Sequence, residues 1–298
     1  MPKFDLYQSV TDRIIAAIEA GTPPWRCPWT GTGGGARFPL RSTGERYRGI
    51  NVLLLWLTAM EKDYALAHWF TFRQASALGA RVRKGERSCM VIYYNVHERE
   101  TEAGETKRLP FARSYNVFNA DQIDGLPEDY IRAPDPARDL GTQSDPVLDA
   151  FFAATGARIE TSARPRAFYR LDDDVIHMPP VATFHSTAGY FGTLAHESLH
   201  WTGHKSRLDR FPAFIDKRGR AREELVAEIG AAMTCARLGC DAEIPQSAAY
   251  VESWLEVLED KRAIFAAATA AQAGADHLFK AAAAGGWTGA AQESAAAA

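Results

Sequence analysis

The segment from His196 to His200 constrains this chain more than any other feature of its sequence. It reads His-Glu-x-x-His, and residues four positions apart lie on one face of an α-helix. On that face the two imidazoles can bind one tetrahedral zinc ion. Glu197 follows the first histidine, where its carboxylate can take a proton from water bound to the metal. The pattern therefore requires a helix and indicates a metal-dependent hydrolytic site.

The residues around this motif favour a helix at this position. Ser186 and Thr187 are candidate N-cap residues, and Leu194 and Leu199 continue an apolar spacing close to the helical repeat. Gly203 is a suitable helix stop. The same motif also occurs by chance in helices that bind no metal, so this helical context is what favours the metal site.

A catalytic zinc ion usually has three protein ligands and one position open to water, so a third ligand must come from elsewhere in the chain. The candidates are Glu223, Glu224 and Glu228, on a predicted helix over residues 223–238. Glu224 and Glu228 share a face, so we predict that Glu224 is the ligand and that Glu228 holds an imidazole N–H. The reverse assignment is the alternative. His204 is a weaker candidate, because the glycine before it interrupts the helix.

Zinc is the metal expected at such a site, although two imidazoles and a carboxylate also suit Mn²⁺ or Co²⁺. In this interpretation Glu197 is the catalytic base, which accepts a proton from the attacking water and passes it to the leaving amine of a peptide. His177 and His185 precede the motif, and we expect a structural role for both.

The order of predicted helices and strands indicates an α+β fold in two domains. Apolar helices are expected near residues 10–18, 51–60 and 71–78, followed by a hairpin that pairs residues 88–94 with residues 111–118. Four prolines between Pro127 and Pro146 are typical of a linker. The predicted divisions are residues 1–130 for a first domain, 131–146 for the linker, 147–285 for a second domain and 286–298 for an alanine-rich tail.

The second domain is expected to open with a helix near residues 146–155 and a pair of strands over residues 157–160 and 167–170. A further strand over residues 175–178 ends at two prolines, which are typical of edge strands. We expect this edge to align an extended peptide by backbone pairing. A last helix is expected from residue 246 to about residue 271.

Composition describes a globular chain, with 46% hydrophobic and 24% charged residues among 298. No apolar run approaches the roughly twenty residues that span a bilayer, so no membrane association is expected. The four cysteines form no Cys-x-x-Cys pair, and the first residues lack the pattern of a secretory signal. These features predict a cytoplasmic protein with reduced thiols.

Charge is distributed unevenly between the two halves, although the formal net charge is only −3. Residues 1–113 contain 17 basic and 11 acidic residues, a balance of +6, and the remaining chain has 17 basic and 26 acidic residues, a balance of −9. The excess is concentrated between Arg37 and Arg87, with 10 basic and 4 acidic residues. This asymmetry indicates that the first half contacts a polyanion.

Aromatic residues are interspersed among these basic ones, which is the composition of single-strand-binding surfaces where bases stack on rings. The candidate nucleic-acid contacts are Trp25, Arg26, Trp29, Arg46, Tyr47, Arg48, Arg81, Arg83 and Lys84. The alternative is that the tryptophans fill a core, as the position of Trp56 in an apolar run predicts. No helix-turn-helix or zinc-finger pattern is present in the sequence, so reading of duplex sequence is not expected.

Several motifs, taken together, resemble the ArdC-type antirestriction proteins of conjugative plasmids, which are similar to the N-terminal parts of TraC-type plasmid primases. In the first half these motifs are Pro24-Trp25-Arg26-x-Pro28-Trp29, Tyr47-x-Gly49-Ile50-Asn51, Trp69-x-Thr71-Phe72-x-Gln74-Ala75 and Val82-Arg83-Lys84-Gly85-Glu86. In the second half they are His196-Glu197-x-x-His200-Trp201-Thr202-Gly203-His204 and Glu223-Glu224-Leu225-Val226-Ala227-Glu228.

The resemblance implies a first domain that binds single-stranded DNA without sequence preference and a second domain that is a zincin-type, gluzincin-like metallopeptidase. It implies protection of incoming plasmid DNA from host restriction during conjugation, with a host protein or peptide as a further partner. It supports Glu224 and Glu228 together and does not choose between them. The competing hypothesis is a non-catalytic protein that coats single-stranded DNA and carries a structural or inert metal site.

Overall fold

The computed structural model describes residues 5–25, 38–100, 106–132, 143–162, 164, 166–211, 216–240, 242–243 and 248–288. The chain has an α+β fold and divides into two compact units. The smaller unit is Ala36–Asp135, and the larger unit combines Met1–Gly35 with Pro136–Ala298.

The smaller unit places short helices against a four-stranded sheet of order β1-β2-β5-β4. Its elements are β1 (Leu40–Arg41), α2 (Ile50–Lys62), β2 (His68–Phe70), α3 (Phe72–Ala77), β3 (Arg81–Val82), β4 (Cys89–Glu100), β5 (Thr106–Asn119), β6 (Ile123–Asp124) and α4 (Glu128–Ile131). Strands β3 and β6 form a separate antiparallel pair. The predicted hairpin is confirmed, since β4 and β5 pair antiparallel with Cys89 opposite Val117.

Helix α2 forms the centre of this unit because nine of its 13 residues are buried. Its Thr58 hydroxyl lies 3.0 Å from Cys89 Sγ, which fixes the helix against β4. At its start, Asn51 donates to the carbonyl of Ile92 and accepts from the N–H of Ile92, both at 2.7 Å. The amide thus satisfies both backbone groups of one residue on β4, the strand at the sheet edge.

The larger unit packs helices against a three-stranded sheet. Its elements are α1 (Leu6–Glu19), α5 (Pro146–Ala154), β7 (Arg158–Thr161), β8 (Phe168–Arg170), β9 (Val175–Met178), α6 (Thr187–Thr202), α7 (Lys217–Leu238), α8 (Ala248–Leu258) and α9 (Ala263–Ala284). Helices α6, α7 and α9 pack against one another and share a core with α5 and the sheet.

The order of the three strands corrects the predicted sheet. Strand β9 is central, parallel to β7 and antiparallel to β8, and its four residues are buried. The predictions that β7 pairs with β8 and that β9 is an edge are therefore wrong. The two prolines follow the last strand residue, so they remove no hydrogen bond from the ladder. The two edge strands of this sheet are β7 and β8, on either side of β9.

Helix α1 belongs to the larger unit, although the sequence grouped it with residues up to 130. Its apolar stripe is buried, and its Thr11 hydroxyl donates to the Lys261 carbonyl at 2.9 Å. Further along, the Trp25 ring meets the Trp254 ring edge-on, with centroids 5.5 Å apart. An amphipathic helix needs an apolar partner, and α1 finds it beside α8 and the start of α9.

Helix boundaries in this unit differ from prediction at two places. Helix α7 begins at Lys217, six residues before the predicted start. The single helix predicted from residue 246 is two helices, because the Asp260 side chain accepts from Arg262 N at 3.0 Å and closes a turn between them. Most of the predicted alanine-rich tail lies outside the described residues. Across the part of the chain that is described, no helix combines the length and apolarity that crossing a membrane requires.

Three helices come unusually close around Leu199 of α6. A Cβ atom added at Gly230 of α7 or at Gly274 of α9 would lie closer than 3.0 Å to the Leu199 side chain. Both glycines therefore have a packing role, since only their missing side chains let α7 and α9 approach α6 this closely.

Candidate metal centre

Helix α6 presents His196 and His200 one turn apart, as the motif predicts. The helix begins where the Ser186 hydroxyl accepts from Gly189 N at 2.9 Å, and it ends at Gly203. The two imidazole Nε2 atoms are 3.2 Å apart, and each side chain is 12% exposed. Both rings thus point the same nitrogen toward one place at the rim of the core.

Glu224 of α7 completes the group. Its carboxylate oxygens lie 3.3 Å from His196 Nε2 and 3.7 Å from His200 Nε2. Ligand atoms at about 2.0–2.2 Å from one tetrahedral metal are roughly 3.3–3.6 Å apart, so these spacings fit a common ion. Among the described residues, these three form the group of histidine and carboxylate side chains able to hold a metal. Of the alternatives left open by the sequence, the geometry favours Glu224 as the third ligand.

Each imidazole has a second carboxylate near its other nitrogen, but only one of the two is hydrogen-bonded. Glu223 Oε1 lies 3.3 Å from His200 Nδ1, whereas Glu228 Oε1 lies 3.9 Å from His196 Nδ1, which has no hydrogen-bond partner among the described residues. A hydrogen-bonded carboxylate fixes the ring orientation and keeps the opposite nitrogen available to a metal. Glu223, considered from the sequence only as a ligand, thus holds His200, and Glu228 lies near His196 without the predicted hydrogen bond.

Arg210 was missed by the sequence analysis. Its Nε donates to Glu223 Oε2 at 3.1 Å and its Nη2 donates to Glu223 Oε1 at 2.7 Å. The two side chains are 8% and 5% exposed. Nothing in the sequence distinguishes Arg210 from the other basic residues of the segment before α7.

The charges around the two imidazoles favour a cation. Burial lowers the pKa of His200, but the adjoining carboxylates of Glu223 and Glu224 outweigh burial and hold that pKa well above its ordinary value. Burial likewise lowers the pKa of His196, and Glu224 outweighs it. Burial raises the pKa of Glu224, yet the two imidazoles bring it below the ordinary range. The site is thus built to hold positive charge.

Glu197, the predicted base, is 8% exposed and faces the edge strand. Its Oε2 accepts from the backbone N–H of Tyr169 on β8 at 2.8 Å. The Tyr169 hydroxyl donates to Asp174 Oδ1 at 2.7 Å, and burial raises the pKa of this phenol. The strand edge beside the base is therefore β8, in place of β9 as the sequence suggested.

The remaining histidines near the motif stay outside the three-residue group. His204 Nδ1 lies 2.7 Å from the Ser206 hydroxyl. His177 stacks on Phe168 with ring centroids 4.7 Å apart.

The candidate nucleic-acid contacts separate into two sets. Trp25 and Tyr47 are 3% and 7% exposed, and burial raises the pKa of Tyr47 to about 12. Their ring faces cannot receive a base in this conformation, so the expected stacking role does not fit either residue. Arg26 and Trp29 lie outside the described residues. The exposed set is Arg46, Arg48, Arg81, Arg83 and Lys84.

An exposed aromatic pair on the hairpin was not singled out from the sequence. Tyr93 and Tyr115 are each 44% exposed, with ring centroids 6.2 Å apart and planes at 78°. Arg113 lies directly opposite Tyr93 in the strand register, on the same face of the hairpin. Both tyrosines sit in β-rich runs, and their exposure depends on how far the hairpin extends beyond the sheet.

Two family models match consecutive parts of the chain. Residues 4–118 match the N-terminal domain of the anti-restriction factor ArdC. Residues 146–270 match a zincin-like metallopeptidase domain, MPTase-PolyVal. The second match includes the two histidines, Glu197 and the whole of α7.

Relatives at the sequence level include an uncharacterised protein, y4eC, of Sinorhizobium fredii, which is 39% identical over 92% of this chain and 91% of its own length. Two DNA primases TraC of Escherichia coli are 38% and 36% identical. The chain spans only 26% and 19% of those primases.

Two solved structures are similar over nearly the whole chain. They are the metal-free and Mn(II)-bound crystal structures of the antirestriction ArdC protein from plasmid R388, with 62% and 60% identity. Their TM-scores are 0.85 and 0.81, and each comparison covers 94% of this chain and 99% of the other. On these matches in sequence and structure, the chain belongs to the ArdC family of antirestriction proteins.

Proposed function

We propose that this protein holds a divalent metal ion at His196, His200 and Glu224, and that it hydrolyses a peptide bond there. The observation that carries the proposal is the convergence of three ligand atoms, with the Glu223 carboxylate hydrogen-bonded to the other nitrogen of His200. A structure similar to 94% of this chain was solved with Mn(II) bound. Zinc is the metal proposed first, with Mn²⁺ and Co²⁺ as alternatives.

When bound, the metal would supply Lewis acidity toward water and a peptide carbonyl. The chain supplies the proton transfers: Glu197 takes a proton from the attacking water and delivers it to the leaving amine. Strand β8 is an edge strand beside Glu197, and we propose that it pairs with an extended peptide through backbone groups other than the Tyr169 N–H, which donates to Glu197. The three-residue β8 is short, so we expect it to orient a few peptide residues only.

Metal binding is tested by titrating chelated, dialysed protein with Zn²⁺, Mn²⁺ and Co²⁺ and by recording an anomalous-scattering map of a loaded crystal. We expect one ion per chain, ligated by the two imidazoles and Glu224. An ion held by Glu228 instead, or protein that takes up none of the three metals, would overturn the proposed centre.

Hydrolysis is tested with Glu197→Ala. Removing a general base costs about 10²–10⁴-fold in rate, while both imidazoles and Glu224 remain to bind metal. Loss of peptidase activity with unchanged metal affinity is the expected result. Activity that survives the substitution would contradict the assigned role of Glu197.

We also propose that the smaller unit binds single-stranded DNA without sequence preference and that this protects incoming plasmid DNA from restriction. The exposed basic set and the tyrosine pair support this, because unpaired bases stack on rings while phosphates contact cations. Binding is tested by titrating single-stranded oligonucleotides of different sequence at several salt concentrations. We expect affinity to fall steeply with salt and to vary little with sequence; no binding at low salt would refute the proposal.

The alternative function is DNA coating without catalysis. It is favoured by the location of the exposed basic set in the smaller unit, which contains none of the three ligands. Transfer of a plasmid into restricting recipients distinguishes the two: full protection by Glu197→Ala would establish coating alone, and loss of protection would establish a need for catalysis.

A further inference from the structure

We propose that Arg210 is a positioning residue for the metal site, acting through Glu223 on the imidazole of His200. The inference rests on the proposed metal centre and deepens it, because it assigns a role to a residue that contacts no ligand atom of that centre.

Arg210 and Glu223 form a paired, buried contact. Nε and Nη2 of the guanidinium engage both carboxylate oxygens, at 3.1 and 2.7 Å, in the paired geometry that holds a carboxylate in one plane. Both side chains are more than nine-tenths buried. A buried carboxylate without its counter-charge is strongly unfavourable, so Arg210 is what allows a charged Glu223 at this place.

Glu223 in turn contacts His200, whose Nε2 faces the proposed metal position. Glu223 Oε1 lies 3.3 Å from His200 Nδ1, so a charged carboxylate keeps the hydrogen of the neutral ring on Nδ1. The lone pair is then on Nε2, which faces His196 Nε2 and Glu224. If Glu223 turned away or lost its charge, the ring of His200 would be free to rotate or to change tautomer.

Arg210 itself is held by hydrogen bonds to the end of helix α6. Nη1 donates to the Thr202 hydroxyl at 2.8 Å and Nη2 donates to the Leu199 carbonyl at 2.6 Å. The Leu199 carbonyl, in the last turn of α6, also accepts from the Thr202 hydroxyl at 2.6 Å, so these three groups form one hydrogen-bonded network. The guanidinium is thus attached to the same helix that carries His200, and a shift of one moves the other.

Gly203 makes room for this arrangement. Its φ is −76°, which any residue adopts, so its backbone needs no glycine. A Cβ atom there would lie 3.0 Å from Arg210 Nη2 and 3.0 Å from the His200 carbonyl. The space that Gly203 leaves is occupied by the guanidinium.

Arg207 offers a matched control three residues away. It also pairs with a carboxylate, donating to Asp174 at 2.9 Å, and it also caps α6, donating to the Trp201 carbonyl at 2.6 Å. Its side chain is 10% exposed, close to the 8% of Arg210. The carboxylate that it holds, Asp174, lies in the turn between β8 and β9 and accepts from the Tyr169 hydroxyl.

The experiment compares Arg210→Gln, Arg210→Lys and Arg207→Gln with the unaltered protein. Affinities for Mn²⁺ and Zn²⁺ are measured by competition with a chromophoric chelator, and the visible absorption of Co²⁺-loaded protein reports the ligand geometry. Thermal unfolding of the metal-free proteins is measured in parallel. No substrate is needed, so the result does not depend on catalysis.

We expect Arg210→Gln to bind both metals about 10–100-fold more weakly, the range found when the partner of a ligating histidine is lost. Arg210→Lys keeps the charge without the paired geometry, so its affinity should be intermediate. Arg207→Gln should lose thermal stability comparably while its metal affinity and Co²⁺ spectrum stay unchanged.

Equal metal affinity in Arg210→Gln and the unaltered protein would overturn the inference, as would an equal loss in Arg207→Gln. An unaltered protein that binds no metal would instead refute the proposed centre. If Arg210→Gln does not fold, Glu223→Gln and Arg210→Lys replace it. Both should then weaken metal binding, with a double variant weaker by less than the sum of the two effects; additive or absent effects would overturn the inference.

Discussion

The metal centre of the larger unit and the exposed basic surface of the smaller unit are built in opposite ways. At the centre, half-buried ligand side chains from α6 and α7 converge, and a buried Arg210–Glu223 pair from the intervening segment and α7 holds one of the two imidazoles. On the smaller unit, the candidate contacts are solvent-exposed and come from separate loops and strands. The first arrangement concentrates its function in a few atoms, and the second spreads it over many weak contacts.

This difference determines how each region responds to substitution. A buried centre loses its function when one group moves, because its partners are left without hydrogen bonds or counter-charges. A surface that binds a polyanion loses affinity in small steps, roughly in proportion to the contacts removed. The variants below test this contrast, in order of decreasing expected effect.

Removal of a ligand should have the largest effect. We expect His200→Ala to lose Mn²⁺ binding by more than the roughly 100-fold that loss of an outer partner causes. Affinity for single-stranded DNA, measured on the same preparation, should not change. A parallel loss of DNA affinity would show that the two regions are coupled and would break the comparison.

The next largest effect is expected for Gly230→Ala, which should lower stability by crowding the contact around Leu199. The added methyl group would overlap the Leu199 side chain, which is fully buried, so we expect a loss of about 1–3 kcal/mol in unfolding free energy. Ser76→Ala, on the exposed face of α3, should change the same quantity by less than about 0.5 kcal/mol. Denaturant titration measures both, and similar values for the two variants would contradict the contrast.

The tyrosine pair should contribute a smaller, local share of DNA affinity. If a base stacks on either ring, Tyr93→Ala or Tyr115→Ala should weaken binding by about 1 kcal/mol, while Tyr93→Phe should keep it. Phe72→Ala is the matched control, since Phe72 is 60% exposed and lies on α3, outside the two strands of the hairpin. Equal effects at Phe72 and at the pair would show that the hairpin is not a stacking platform.

The smallest effect concerns ion pairs. The Arg207 hydrogen bond outweighs burial and lowers the pKa of Asp174, so this carboxylate stabilises the fold above its unfolded pKa of about 3.9. Allowing for its solvent exposure, we expect Asp174→Asn to cost about 0.5–1 kcal/mol near neutral pH. The cost should start to decline as the pH falls below about 4 and disappear only below the lowered pKa of Asp174 in the folded protein.

The exposed Arg41–Glu45 pair provides the comparison for that measurement. Its side chains are 45% and 69% exposed, so Glu45→Gln should cost less than about 0.5 kcal/mol at any pH. Denaturation of both variants at a series of pH values is the test. A cost at Asp174 that does not decline as the pH falls below about 4 would show that the aspartate acts by its shape and not by its charge.

Local pattern was sufficient to predict the parts of the centre that lie within one helix. The spacing of His196 and His200 and the Ser186 cap specify α6, and the four-residue spacing of Glu224 and Glu228 places both on one face of α7. These inferences need only the helical repeat, which the sequence carries directly.

Contacts between distant elements were beyond the sequence. The Arg210–Glu223 pair depends on the path of an irregular segment, and the order of β7, β9 and β8 depends on tertiary packing. Trp25 was expected at a surface because prolines and glycines surround it, yet it is buried against Trp254. Aromatic residues near turns fill cores and surfaces alike, so composition could not decide between them.

The glycine-lined contact around Leu199 bears on how an ion enters and leaves. Because α7 and α9 pack closely against α6, this helix has no room to shift or unwind when no metal is bound. The metal site is therefore preorganised, and we expect metal binding to leave the backbone in place. Chelation should accordingly yield a folded, reloadable protein, unlike the small zinc domains that collapse when stripped.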